Sequence, residues 1–431
     1  MKIEITDPAK WYRSFTVKLA LLAVLGLLLL IPLQMIKEII KERQSNADEV
    51  RKEISEQWAA KQCFSGPVLN IPVRTIPTEN DEKPVIQIWH ILPENLEITG
   101  NLFPEIRYRS IYKSVVYNSE LKISGYFVIP AAEVVKEYEI LWEGAYYTAG
   151  ISDNRGLKGD INMTIDSVTL SAEPGVKDRD LFESGVSFTS PVRNAGQKIG
   201  FKMDINLAGS EGLELTPLGK ITVTHLKSDW PSPGFTGSFL PVVRTVDKTG
   251  FSADWEVTHL NRNYPQNWVG KTFQPMESAF GLDLVQPVDH YQKSWRSARY
   301  GILIIALTFL VLVFLEIRRK KAIPVFHYLL VSLGLVLFFS LLNALSEQIG
   351  FNAAYLIASV ATISLISWFT GSMLKDKKTA WIVLGLLMLL YTFIFVLLTL
   401  NDYAYLAGNI GLFVILAVIM FQSVKWTAIR K

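Results

Sequence analysis

Six stretches of this chain are apolar for about as long as a bilayer is thick, and a long water-compatible segment, residues 37–296, separates the first from the other five. A helix rising about 1.5 Å per residue needs about 20 apolar residues to cross about 30 Å of hydrocarbon. Leu19–Ile36 meets that need once Phe15 to Val17 extend it. Tyr300–Leu315, Val325–Leu345, Ala353–Leu374, Ala380–Leu400 and Tyr405–Phe421 follow. The first stretch exceeds the roughly 7–15 apolar residues of a signal peptide, and no small-residue cleavage site comes after it, so it is expected to remain as an anchor.

The basic residues give these spans a direction. Lys2, Lys10, Arg13 and Lys18 precede the first; Arg318, Arg319, Lys320 and Lys321 lie between the second and third. Lys375, Lys377 and Lys378 lie between the fourth and fifth, and Lys425, Arg430 and Lys431 follow the sixth. The opposite connections, Ser346–Asn352 and Asn401–Ala404, contain neither Lys nor Arg. Six spans put all four clusters on one side, which the positive-inside rule makes the cytoplasm, and an odd number would break the agreement. Lys293, Arg296 and Arg299 fall on the other side, where a long translocated segment largely escapes the rule. The expected organisation is therefore residues 1–14 in the cytoplasm, 15–36 as span one, and 37–64 as an amphipathic helix beside the membrane. Residues 65–299 then form a domain outside the cytoplasm, 300–421 a bundle of five spans, and 422–431 a cytoplasmic tail.

Between the first two spans the apolar period changes. Ile36, Ile39, Ile40, Ala47, Val50, Ile54 and Trp58 recur at helical steps, as either a face docked on the outer domain or a dimer seam. The pattern breaks near Ser65-Gly66-Pro67. Beyond it the period is two: Phe201, Met203, Ile205 and Leu207 alternate with polar residues, as do Phe251, Ala253, Trp255 and Val257. Such segments, punctuated by Gly, Pro, Asn and Asp, predict a β-rich domain of antiparallel sandwich or open-barrel type. The fold class expected is thus an α-helical membrane protein of six transmembrane helices with an inserted β-rich domain.

Chemistry is harder to find. The charge balance, 43 basic against 40 acidic residues, gives no concentrated basic face, so nucleic acid is not an expected partner. The lone Cys63 excludes an internal disulfide and a two-cysteine metal site. His90, His225, His259, His290 and His327 form no HExxH or HxH pattern, although His225 and His259 stand where they can meet across strands. No nucleophile elbow, Walker loop or dinucleotide fingerprint is present, and Ser238 lacks the second glycine of an elbow. We therefore expect no catalytic residues, no metal and no cofactor. Three places remain. Asp153-Asn154-Arg155-Gly156 reads as a tight turn with a local ion pair, or as a clamp for an anionic ligand. The stiff run from Trp230 to Pro241, with Phe235 and Phe239, either binds a partner or the membrane interface, or caps the end of the β domain. Asn343 and Glu347, at i and i+4 near one end of a span, form the candidate intramembrane polar cluster.

Several stretches, in order along most of the chain, resemble the CreD family. They are GPVLNIPV from Gly66, SDNRG from Ser152, WPSPGFTGSFLP from Trp230, GFSADW from Gly250, YGILIIALTFL from Tyr300 and ALSEQIGF from Ala344. The chain departs from the family mainly at its termini and around Lys177–Ser190. The resemblance implies a multi-pass protein of the bacterial inner membrane with cytoplasmic termini and residues 37–299 in the periplasm. It also implies a part in envelope integrity, linked to a two-component envelope response and to β-lactam susceptibility. It supplies no catalytic residues. The expected partners are the lipid bilayer and an envelope component or membrane protein, with a homo-oligomer left open. A transporter or transporter subunit and a membrane-anchored enzyme acting on envelope components are the alternatives.

Overall fold

The computed structural model describes residues 15–76, 84–190, 192, 195–284, 290–319, 322–400, 406–411, and 413, 414, 416, 417, 420 and 421. The chain divides into two compact units, residues 1–46 with 288–431, and residues 47–287.

The helices are α1 (Phe15–Leu28), α2 (Leu30–Trp58), α3 (His290–Arg299), α4 (Gly301–Arg319), α5 (Val325–Ile349), α6 (Phe351–Leu374) and α7 (Lys377–Thr399). Among the described residues, five helical stretches are long and apolar enough to cross a membrane: Val17–Trp58, Gly301–Arg318, Val325–Ile349, Phe351–Leu374 and Lys377–Thr399. The sixth expected span falls on a stretch that is only partly described, with residues 406–411 helical. Pro32 has no N–H for the Leu28 carbonyl and its ring crowds that group, which accounts for the interruption between α1 and α2 at Leu29.

Two groups of contacts define the ends of the helical unit. At one, Lys18 Nζ meets the Glu316 carboxylate at 2.6 and 2.5 Å and donates to the Ile323 carbonyl. Tyr328 completes the group by donating to Glu316 Oε2 at 3.0 Å. At the other, Ser294 of α3 bonds Ser346 of α5 at 3.3 Å, and Arg296 donates to the Leu400 carbonyl at 3.1 Å. Lys293 lies over the Phe351 ring and Arg299 over Trp295. Lys293, Arg296 and Arg299 are thus engaged by two rings and a carbonyl. Gly301 lets α4 start close to α2, since a Cβ there would meet Leu33 Cδ2 at 2.8 Å.

The second unit is built on two sheets. The eight-stranded sheet runs in the order Val243–Asp247, Gly250–Thr258, Ile221–Ser228, Asn95–Arg109, Tyr112–Val128, Lys198–Ser210, Leu157–Ile165, Val168–Ser171. The ten-stranded sheet runs Pro233–Gly237, Phe280–Leu284, Gly212–Leu215, Gln62–Thr75, Tyr146–Ile151, Gly185–Thr189, Glu173–Pro174. Ile86–Ile91 and Tyr138–Ile140 also pair with Gln62–Thr75, and Asn267–Val269 pairs with Ile86–Ile91. Both sheets feed one hydrophobic cluster, with Phe64, Trp89, Tyr147, Phe188 and Phe280 from the larger and Ile98, Phe127, Met203 and Trp255 from the smaller.

The sheets are mixed rather than purely antiparallel. Gln62–Phe64 runs parallel to Leu213–Leu215, and Ile221–Ser228 runs parallel to Asn95–Leu102. Alternation fixes which face of a strand is buried and is silent on the direction of its neighbour, so the sequence pattern could not show this. The helix ends at Trp58 and the first strand begins at Gln62, before the Gly66-Pro67 break. That break is a bulge inside the strand: the pairing shifts between Ser65 and Val68, and Gly66 sits at φ +142° with Ala149 Cα 3.0 Å from where a Cβ would be. The C-terminal end of α2, within residues 47–287, docks on the β strands of the same unit. Glu53 pairs with Arg109, Ser55 bonds Ser210, and Arg107 and Lys158 lie over the Trp58 ring. Cys63 is buried beside Thr216 Oγ1 at 3.8 Å, and burial pushes its thiol pKa up.

Candidate functional site

Asp153 and Arg155 are brought together, but mostly for each other. Asp153 caps the short helical turn Asn154–Gly156, accepting from Arg155 N at 3.0 Å and from its guanidinium at 2.7–3.1 Å. It also accepts from Ala60 N at 3.1 Å, while Arg155 donates to the Glu56 carbonyl. The pair therefore ties the end of α2 to the β domain. The Arg155 hydrogen bonds hold the Asp153 carboxyl down at about 2.

The aromatic residues of the Trp230 run point inward. Phe235 lies edge-on to Phe251 and Trp255 at 6.0 and 5.8 Å, Phe239 lies against Phe280, and Trp230 packs against the core cluster. Trp255 Nε1 donates to the Phe239 carbonyl at 3.2 Å. The exposed part comes just after. Leu240 and Val242 are 66% and 72% exposed, and every residue of Val243–Asp247, the strand ending the eight-stranded sheet, is exposed.

In the helical unit Asn343 is buried on α5, and its Oδ1 and Glu347 Oε1 have no hydrogen-bond partner among the described residues. His225 and His259 do not meet: His225 faces and bonds Asp254, while His259 follows Thr258, which faces Ile221.

One cluster was invisible to motif reasoning. Trp268, His90, Asn70 and Tyr146 stand opposite one another on successive strands of the larger sheet. Their neighbours Trp89, Ile91, Leu69, Ile71 and Tyr147 enter the core, so alternation turns His90, Asn70 and Tyr146 to the other face. The chain between Glu173–Pro174 and Gly185–Thr189 brings Asp178 and Asp180 against that face. Tyr146 Oη donates to Asp178 Oδ2, and Asp180 N donates to Asp178 Oδ1 at 3.0 Å. One ligand atom each from His90, Asp178 and Asp180 lies within 4.8 Å of the others. Burial lowers the His90 pKa, against the opposing pull of Asp178 and Asp180; burial and Asp178 together raise that of Tyr146. No local spacing signals this set, because strand pairing and a distant loop assemble it.

Several membrane-length helices joined to a large two-sheet domain define a multi-pass membrane protein. A family model described as "Inner membrane protein CreD" matches residues 14–427. A protein of Escherichia coli (strain K12) described as "Inner membrane protein CreD" is 31% identical over 414 residues, 93% of this chain and 91% of that protein. The chain belongs to the CreD family of inner membrane proteins.

Proposed function

We propose that this protein maintains envelope integrity from the bacterial inner membrane by a non-enzymatic scaffolding role. Its β domain, read as a sandwich because two sheets share one core, faces the periplasm and holds an envelope component or another membrane protein. The helices, read as six spans with both termini in the cytoplasm, anchor it and supply a surface for self-association. The observation that carries this reading is the open edge at Val243–Asp247, exposed throughout and led by the exposed Leu240 and Val242. An edge strand offers unpaired backbone groups to an added strand, and apolar side chains there add affinity. Trp230, Phe235 and Phe239 would support that edge from beneath, and the turn at Asp153 and Arg155 would fasten the end of α2 to the strands.

A second reading is a conduit through the helical bundle, favoured by Asn343 and Glu347, buried polar groups of the kind that mark pathways in membranes. One experiment separates the two. A deletion strain is complemented with the full chain, with residues 1–299, and with the full chain carrying Val243→Lys and Val246→Lys, insertion being checked for each. Envelope permeability and β-lactam sensitivity are then measured. Rescue by residues 1–299 and failure of the double-lysine chain are expected. Rescue by the double-lysine chain but not by residues 1–299 would overturn the edge-strand reading and move attention to Asn343 and Glu347.

A further inference from the structure

The His90 ring is completely buried, and its two nitrogens are in opposite situations. Nδ1 lies 2.7 Å from Asn70 Oδ1. The orientation of that amide is fixed, because Asn70 Nδ2 donates to the Val68 carbonyl at 3.4 Å and to Thr148 Oγ1 at 2.9 Å, and a carbonyl only accepts. Asn70 Oδ1 is therefore an acceptor, and Nδ1 must carry a proton. In the neutral ring Nε2 is then a bare lone pair. It has no hydrogen-bond partner among the described residues, and Asp180 Oδ2 stands 3.6 Å away, beyond hydrogen-bond length. A buried acceptor thus faces two carboxylates, which are acceptors too.

We propose that His90 Nε2, Asp178 and Asp180 bind a divalent first-row transition metal ion of the Zn²⁺ type. A cation removes the conflict between the three acceptors, and imidazole with carboxylate is a donor set such ions take. The spacing suits one ion. Two ligands at about 2.0–2.2 Å from a tetrahedral centre lie roughly 3.4 Å apart, close to the 3.6 Å between His90 and Asp180. The supporting contacts are those a metal site uses to orient its ligands: Asn70 holds the His90 tautomer, while Tyr146 Oη and Asp180 N bond the two oxygens of Asp178. Asp180 also lines a cleft of ≈ 300 Å³ with Ser152, Arg179, Glu183 and Lys271, so the cluster is open to solvent on its Asp180 side.

The test uses the full chain in detergent, stripped with a chelator, dialysed, and titrated with ZnCl₂ by calorimetry. Co²⁺ is added separately for its visible d–d absorption. Wild type is expected to take up one Zn²⁺ saturably and to give a tetrahedral or five-coordinate Co²⁺ spectrum. His90→Gln and Asp180→Asn should each weaken binding at least about tenfold, since even residues that only orient a ligand are worth about 10–100-fold. Asp180 is partly exposed, so its variant keeps the test valid if the buried His90 variant fails to fold. His225→Ala, which removes a His–Asp pair elsewhere in the same domain, should leave binding unchanged. Absence of saturable uptake by wild type, or unchanged affinity in Asp180→Asn, overturns the proposal.

Discussion

Asp153 accepts from the backbone of Ala60 and from both the backbone and the guanidinium of Arg155. Its folded pKa of about 2 lies below the ordinary 3.8. A depressed carboxylate contributes stability that is complete above its unfolded pKa and is lost as pH falls through the folded value. Thermal unfolding of the full chain in detergent should therefore lose stability between pH 3.8 and about 2, and Asp153→Asn should flatten that window. At neutral pH Asp153→Ala should cost about 0.5–2 kcal/mol, as for other helix caps. This turn was legible in the sequence, because its charges sit two residues apart and Gly156 follows directly. His90 was not legible. The residues that give it meaning come from two neighbouring strands and a remote loop, and no spacing rule spans that distance.

Among the elements, the apolar runs were the plainest feature of the sequence, and the described helices sit on them. What the runs could not show is how they touch. Lys18 of α1 and Glu316 of α4 form an ion pair with both side chains largely hidden, at 13% and 16% exposure. Removing one partner of such a pair leaves an uncompensated charge and costs up to about 3–5 kcal/mol. Glu316→Gln should lower the unfolding temperature of the detergent-solubilised chain more than the double change Lys18→Met with Glu316→Gln does. An equal or larger loss in the double change would show that an uncompensated lysine is not what destabilises Glu316→Gln. Strand positions were likewise legible from their alternation, whereas the two parallel pairings were not, because direction depends on the route of the chain between strands. The Trp230 run shows the same limit: its composition reads equally well as anchor or as bait, and the ring contacts of Phe235 and Phe239 turn it inward.

At the scale of the whole molecule, the order of one span, a large domain and then more spans follows from hydropathy and the placement of Lys and Arg. The side of the membrane on which each part lies is open to direct reading. Single cysteines placed at the exposed positions Thr245, Asn352 and Lys375 can be probed with a membrane-impermeant thiol reagent. Thr245→Cys and Asn352→Cys should label in intact spheroplasts, and Lys375→Cys only after permeabilisation. Labelling of all three in intact cells would reject the six-span arrangement. The protein is well suited to this experiment. Its one native thiol, Cys63, is a buried residue of the first strand of the larger sheet, its ionisation suppressed by that burial, and thiolate is the form that alkylates. The folded chain thus behaves as a cysteine-free background, and the same thiol, once exposed, becomes a chemical clock for the opening of that strand.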